Sequence, residues 1–274
     1  DAMADPAVKI VSMTITEKGY CHNPATEGLQ LDHPDIVHDL AYPNTPRSAV
    51  GFLVSALAQR KAAGAGAFTI LSCDNLPDNG ALTRNVALDF AKQVSLDLAV
   101  WIETHARFPA TMVDRITPAT TETDIASVAE ATGYRDMACV MHEPFRQWVI
   151  EDNCVDDVRP AWDLAGATFV QDVAAFEAMK LRCLNGTHSA LAYLGYLAGY
   201  ETIADTVADP DFAAYVKRLW TQSIIPTVPP PEGADLAQYC ADLMTRYQNP
   251  AIRHRTWQIA MDGSQKLPQR LLGT

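Results

Sequence analysis

The chain has 274 residues, 48% of them hydrophobic and 20% charged, with a formal net charge of −12. This is an ordinary globular composition, long enough for one large or two medium domains with a substantial core. An acidic surface repels nucleic acid and anionic membrane, so neither is an expected partner. The six cysteines and seven histidines are dispersed, with no C-x-x-C pair and no zinc-ligand spacing. That usage points to free thiols in a reducing compartment and to no structural metal. No apolar run is long enough to cross a membrane and the start is unlike a signal peptide, so a cytoplasmic location is expected.

Residues 8–16 (VKIVSMTIT) are β-branched and run into the polar turn Glu17-Lys18-Gly19, as a buried strand would. Residues 48–63 have helical periodicity behind a serine N-cap and are broken by Gly64 and Gly66. A second strand is expected at 68–73 (FTILSC) and a helix at 80–94. Strand and helix therefore alternate, the pattern of a parallel sheet covered by helices. Ligands of such sheets sit at the carboxyl ends of strands, which marks Glu17, Lys18 and Asn75 as site candidates. Further on, 111–116 reads as a short strand containing Asp114, 123–132 as a helix, and 137–150 as two strands joined at Glu143-Pro144. From Asp172 the texture becomes amphipathic and helical, over 172–197 and much of 204–243, with 226–231 (PTVPPP) as a stiff extended connector. The domain boundary is expected near 166–171, dividing the chain into an α/β domain over 1–170 and a helical domain over 171–274.

The most informative stretch is 176–188, FEAMKLRCLNGTH. At about 100° per residue on an α-helix, Glu177, His188 and Asn185 stand at about 60°, 80° and 140° from Lys180. Phe176, Met179 and Cys183 occupy the other side. An ordinary solvated helix face is the simplest account of such a set. Against it, Leu181, Leu184, Leu191 and Tyr193 leave little room for water, and Asn185-Gly186 is poor helix material. A partly buried lysine beside a glutamate is a proton-transfer unit, because burial lowers the amine pKa toward neutrality.

These residues, Lys180-x-x-x-x-Asn185-x-x-His188, resemble the catalytic signature of the mannitol dehydrogenase family, the polyol-specific long-chain dehydrogenases. The resemblance extends over TITEKGYC (14–21), LSCDN (71–75), FPATMVDRITP (108–118), EPFRQWVIED (143–152), KLRCLNGTHSALAYLG (180–195) and TWQIAMDGSQKLPQR (256–270). It implies a Rossmann-like coenzyme domain followed by a mainly α-helical domain, and a metal-independent alcohol/ketone interconversion with NAD, NADP being the alternative. Lys180 would then be the acid/base, and Asn75 and Asn185 the donors to the reacting oxygen. His188 would orient substrate or lysine, Glu177 would relay the proton, and Asp114 would bind a substrate hydroxyl. Thr16, Glu17, Lys18 and Asn75 are the expected coenzyme contacts. Asn75 could also be only a turn cap, and Asp114 only a partner for Arg115 or Arg146. A monomer is expected.

Within that family, 253–270 is closer to fructuronate reductases (D-mannonate oxidoreductases) than to mannitol-type enzymes. Arg253, Arg255, Lys266 and Arg270 make this a basic stretch in an acidic protein, suited to the carboxylate of a sugar acid. The expected substrate is accordingly D-mannonate, giving D-fructuronate, with D-mannitol, giving D-fructose, as the alternative. Nothing before Val8 supplies the glycine-rich turn that receives a pyrophosphate. The chain is therefore expected to lack the first nucleotide-binding unit and the end of the helical domain, and a non-catalytic fragment is the competing reading. A pure sugar-binding module would explain Asp114 but not the Lys180, Asn185 and His188 set.

Overall fold

The first apolar run forms β1 (Ile10–Met13), shorter than the strand expected over 8–16. The donors that would extend it are taken: the Asp74 carboxylate accepts from the backbone N–H groups of Ile15 and Thr16, each at 2.9 Å, and Thr16 turns into left-handed backbone at φ 61°. The computed structural model describes residues 2–26 and 28–273. They divide into two units, Asp1–Val113 with Gln147–Val173, and Asp114–Arg146 with Ala174–Thr274.

In the first unit a single turn, α1 (Thr16–Gly19), leads to the antiparallel pair β2 (His22–Asn23) and β3 (Gly28–Leu29). Helices α2 (Pro34–Ala41) and α3 (Ala49–Ala62) follow, α3 capped as expected by Ser48, whose hydroxyl accepts from Gly51 N. Gly64, at φ 66°, ends that segment in a conformation costly for residues with a Cβ. β4 (Thr69–Ser72) is buried at all four positions and pairs parallel with β1, Ile10 opposite Thr69. α4 (Asn79–Val94) and α5 (Leu96–His105) pack on one another. β5 (Thr111–Asp114), β6 (Gln147–Glu151) and β7 (Thr168–Val170) form a second sheet in that order, β6 and β7 parallel. The Asn79 amide joins the strand ends, donating to the carbonyls of Asp74 (3.0 Å) and Thr111 (2.9 Å) and accepting from Thr111 N (2.9 Å). This is the α/β fold with parallel pairing that the alternation predicts.

Of the two strands expected over 137–150, only β6 exists. Residues 137–146 are irregular, because Pro144 has no N–H for a ladder and the Glu143 side chain is drawn into a buried ion cluster.

The second unit is helical. α6 (Glu122–Thr132) starts in a Thr121/Asp124 capping box and ends at Gly133. α7 (Ala174–Met179), a π-helical segment Lys180–Gly186 and α8 (Thr187–Leu197) form one continuous helix. α9 (Ile203–Ala208) and α10 (Pro210–Leu219) lead to a second π segment, Trp220–Ile224. The proline-rich connector begins in a 3-10 turn, Ile225–Thr227, so its first part is not extended. α11 (Leu236–Tyr247), α12 (Thr256–Ile259), α13 (Gly263–Leu267) and a third π segment, Pro268–Leu272, complete the unit.

The core of the first unit gathers Ile36, Leu57, Phe68, Ile70, Val86 and Ile102, each buried to within 1%. Each such side chain stabilises the fold by about 1.5–3 kcal/mol. Arg60 is equally buried, yet charged. Its guanidinium donates to the carbonyls of Met3 (2.7 Å), Val8 (2.7 Å) and Gly66 (3.1 Å), fastening the segment before β1 to α3. Arg60→Ala strands these carbonyls and opens a cavity beside Phe68, so urea unfolding is expected to register a loss of about 3 kcal/mol.

Candidate active site

The segment KLRCLNG (Lys180–Gly186) is wound as a π-helix. Its hydrogen bonds run from residue i to i+5, so residue i+5 stands a turn above residue i. Asn185, at about 140° from Lys180 on an ideal α-helix, is thereby brought round to the lysine's side. The wider winding leaves carbonyls short of donors, and neighbouring side chains supply them. Cys183 O accepts from Trp220 Nε1 (2.9 Å) and Thr187 Oγ1 (2.6 Å), and Leu184 O accepts from the Tyr247 hydroxyl (2.9 Å). Gly186 is needed for a different reason: a Cβ there would lie 2.6 Å from the Arg270 carbonyl oxygen.

Lys180 is 8% exposed, and the carboxylate that acts on it most strongly is Asp114, at the end of β5. Asp114 is itself fully engaged. Arg246 of α11 donates to it through Nη2 (2.8 Å) and Nη1 (3.0 Å), and the Tyr239 hydroxyl donates at 3.2 Å. The same guanidinium donates to Glu143 through Nε (2.9 Å) and Nη2 (2.8 Å) and covers the Phe145 ring. Glu143 also accepts from Ile116 N at 2.6 Å. Asp114 therefore pairs with Arg246 of α11.

Burial pushes the Lys180 amine down to about 8; Asp114 and Glu177 hold it up, while Arg270 and Arg246 push it further down. Glu177, half-buried, stands three residues before Lys180, on the adjacent turn of the same helix. His188 is buried, stacked on Tyr247 with 5.3 Å between ring centroids, and edge-on to His254 at 4.7 Å. Burial, His254, Arg270 and Arg246 hold His188 well below the usual imidazole range, and burial takes His254 down to about 4. Burial also raises Tyr239 and Tyr247. Both histidines are neutral at physiological pH, and the lysine is the group among these whose proton equilibrium lies near it. The Asn185 side-chain oxygen and His254 Nδ1 are buried without a hydrogen-bond partner.

The surroundings of the other predicted residues are as follows. Arg253 and Arg255 are 65% and 44% exposed at their side chains and pair with Glu201, at 3.2 and 3.9 Å. Lys266 faces Asp262 at 3.6 Å and donates to Met261 O. Of that basic stretch it is Arg270, donating to Ser189 Oγ at 3.3 Å, whose charge reaches Lys180 and His188. Arg253, Arg255 and Lys266 thus each have an acidic neighbour of the protein's own. In the first unit Thr16, Glu17, Lys18 and Asn75 are exposed at the carboxyl ends of β1 and β4. Asp74 organises that edge, accepting from Ile15, Thr16 and the Tyr20 hydroxyl (2.7 Å). Among the described residues no group of three His, Cys, Asp or Glu is disposed to hold a metal ion, and no helix is long and apolar enough to cross a membrane.

Sequence reasoning missed Arg246, Glu143, Tyr239, Tyr247, His254 and Asp74. One signal was present for Arg246: it falls beside Leu243 and Tyr247 on the buried stripe of α11, where an unpaired charge would be prohibitive.

A parallel α/β unit and a helical unit carrying a buried lysine in a π-helical segment make a Rossmann-type two-unit architecture. The comparisons specify it. The family model for the mannitol dehydrogenase Rossmann domain matches residues 1–164, and that for the mannitol dehydrogenase C-terminal domain matches 172–274. This chain belongs to the mannitol dehydrogenase family. It is 54% identical over 272 residues to the D-mannonate oxidoreductase of Escherichia coli (strain K12), covering 99% of this chain and 56% of that protein. The oxidoreductase YdfI of the same organism is 56% identical over 271 residues, covering 99% of this chain and 55% of YdfI. The Pseudomonas fluorescens mannitol 2-dehydrogenase, solved as a ternary complex with NAD and D-mannitol, superposes with a TM-score of 0.90 at 43% identity, covering 100% of this chain and 55% of that one. The chain thus spans about half the length of the relatives it matches.

Substitution at Gly186 tests the π segment. Gly186→Ala must displace the Arg270 carbonyl or the turn itself, with an expected cost of about 1–3 kcal/mol in chemical unfolding.

Proposed function

We propose that this chain carries the acid/base machinery of an NAD-dependent dehydrogenase that interconverts a secondary alcohol and a ketone on an open-chain sugar acid, D-mannonate and D-fructuronate. The observation that carries the reading is the Lys180 amine: buried, lowered to about 8, and set one π turn from the Asn185 carboxamide. In oxidation the neutral amine takes the hydroxyl proton of the reacting carbon. In reduction the ammonium returns it to the carbonyl oxygen. The Asn185 amide group donates to that oxygen as charge develops on it, which stabilises the transition state without reorganisation. Glu177, on the adjacent turn and half-buried, hands the proton onward from the lysine. His188, neutral, keeps one nitrogen as donor and one as acceptor for orienting a hydroxyl.

The first unit supports a coenzyme only in part. The exposed ends of β1 and β4, with Thr16, Glu17, Lys18 and Asn75, suit the sugar-nicotinamide portion. Neither loop is a glycine-rich turn opening a helix, so these residues do not suit the pyrophosphate. When bound, the nicotinamide supplies the hydride acceptor or donor. The part of Asn75 as second donor to the reacting oxygen follows from the family resemblance alone.

The sugar-acid reading is favoured over D-mannitol by the higher identity to the D-mannonate oxidoreductase, 54% against 43% for the mannitol 2-dehydrogenase. Arg270 offers a guanidinium on the lysine's side of the unit. Steady-state comparison should give a larger kcat/KM for D-fructuronate than for D-fructose; the reverse order would move the assignment to the polyol.

Lys180→Ala is expected to lower turnover about a thousandfold with circular dichroism unchanged. Oxidation requires the free amine, so its kcat/KM should rise with pH through about 8 and then level. Reduction requires the ammonium and should fall over the same interval. Near-normal turnover in Lys180→Ala would remove the lysine from the mechanism.

A further inference from the structure

Arg246 is more heavily engaged than a fold-stabilising pair requires. Four of its N–H groups are directed at two carboxylates, Asp114 and Glu143. The guanidinium side chain is 7% exposed and both carboxylates 2%. One carboxylate would neutralise it. The second leaves this buried triad with one uncompensated negative charge, an arrangement that is costly unless a further cation answers it. Asp114 is the carboxylate that acts most strongly on Lys180, and Arg246 acts on the same amine with opposite sign.

The geometry points to Arg246 as a positioning residue for the proton-transfer step: shared between Asp114 and Glu143, it holds Asp114 in place and, with Glu143, fixes the single net negative charge that Lys180 faces. The inference rests on Lys180 as the proton carrier. The cluster is balanced when the lysine is an ammonium and carries one excess negative charge when it is an amine. The triad therefore favours the proton's arrival, and burial opposes it. Glu177 precedes the lysine on its own helix, and Cys183 and Asn185 follow it. His188 of α8 and His254 are held neutral, while Tyr239 and Tyr247 of α11 are raised. Arg270 adds a constant positive charge, and Cys240 lies beside Cys183 as a buried thiol.

Two isosteric or near-isosteric changes should move the lysine in opposite directions. Glu143→Gln removes one negative charge and retains an oxygen for Ile116 N and Arg246, so the Lys180 pKa should fall by about one unit. Arg246→Gln leaves the amine facing carboxylates without the guanidinium that answers them, so its pKa should rise by about one unit. The measurement is the pH titration of the Lys180 13Cε resonance in the full chain, assigned by its loss in Lys180→Met. Opposite shifts support the inference; an unmoved or upward-shifted Glu143→Gln resonance overturns it. If Arg246→Gln does not fold, the Glu143→Gln titration decides. A wild-type resonance titrating near the ordinary lysine value would instead overturn the assignment of Lys180, which separates the two failures.

Discussion

The removal of one ammonium group from water governs the organisation of the helical unit. Taking a charge into a low-dielectric interior costs several kcal/mol unless opposite charge and hydrogen bonds meet it there. Two responses are open to such a lysine: it can lose its proton, or it can find carboxylates. Lys180 is poised between them. Burial alone drives the amine down, Asp114 and Glu177 hold it up, and Arg246 and Arg270 oppose those carboxylates. With its pKa lowered to about 8 by this balance of opposed effects, the amine populates both of its forms near neutral pH, which is what the acid/base role proposed for it requires.

The helix that carries the lysine departs from regular winding. On a regular α-helix Asn185 would stand about 140° from Lys180; the π segment alters that angle at a cost in backbone hydrogen bonding. Trp220, Thr187 and Tyr247 meet that cost by donating to Cys183 O and Leu184 O. The aromatic side chains that look in sequence like core filler are thus also donors. Tyr247 serves twice, since its ring stacks on His188 while its hydroxyl holds the π turn.

Local rules in the sequence reached the features that depend on local contacts. The Ser48 cap, the helix read at 123–132 and the buried strand read at 68–73 are set by residues within a few positions of one another. The Lys180, Asn185 and His188 spacing was legible because one helix carries all three. The ion cluster was not, because Arg246 lies 132 residues from Asp114 and 103 from Glu143. Arg115 and Arg146, nearer to Asp114 in sequence, gave no hint of it. The basic stretch is a related case. Charge counted along the chain says nothing of the carboxylates that the fold sets opposite, and Glu201 meets both Arg253 and Arg255. The two strands expected over 137–150 failed because Glu143, read as a turn residue, is a buried ligand of Arg246 that pulls the chain out of extended pairing.

Two buried polar atoms bear on the same segment. Among the described residues of the helical unit, the Asn185 side-chain oxygen and His254 Nδ1 have no hydrogen-bond partner. Each such atom costs about 1–3 kcal/mol when left unmade. Asn185 belongs to the π segment that begins at Lys180, and the His254 ring meets His188 edge-on at 4.7 Å. The cost therefore falls on the winding that Trp220, Thr187 and Tyr247 support and on the imidazole that Tyr247 stacks against, so one set of aromatic side chains holds in place the two polar groups that the fold leaves unmet.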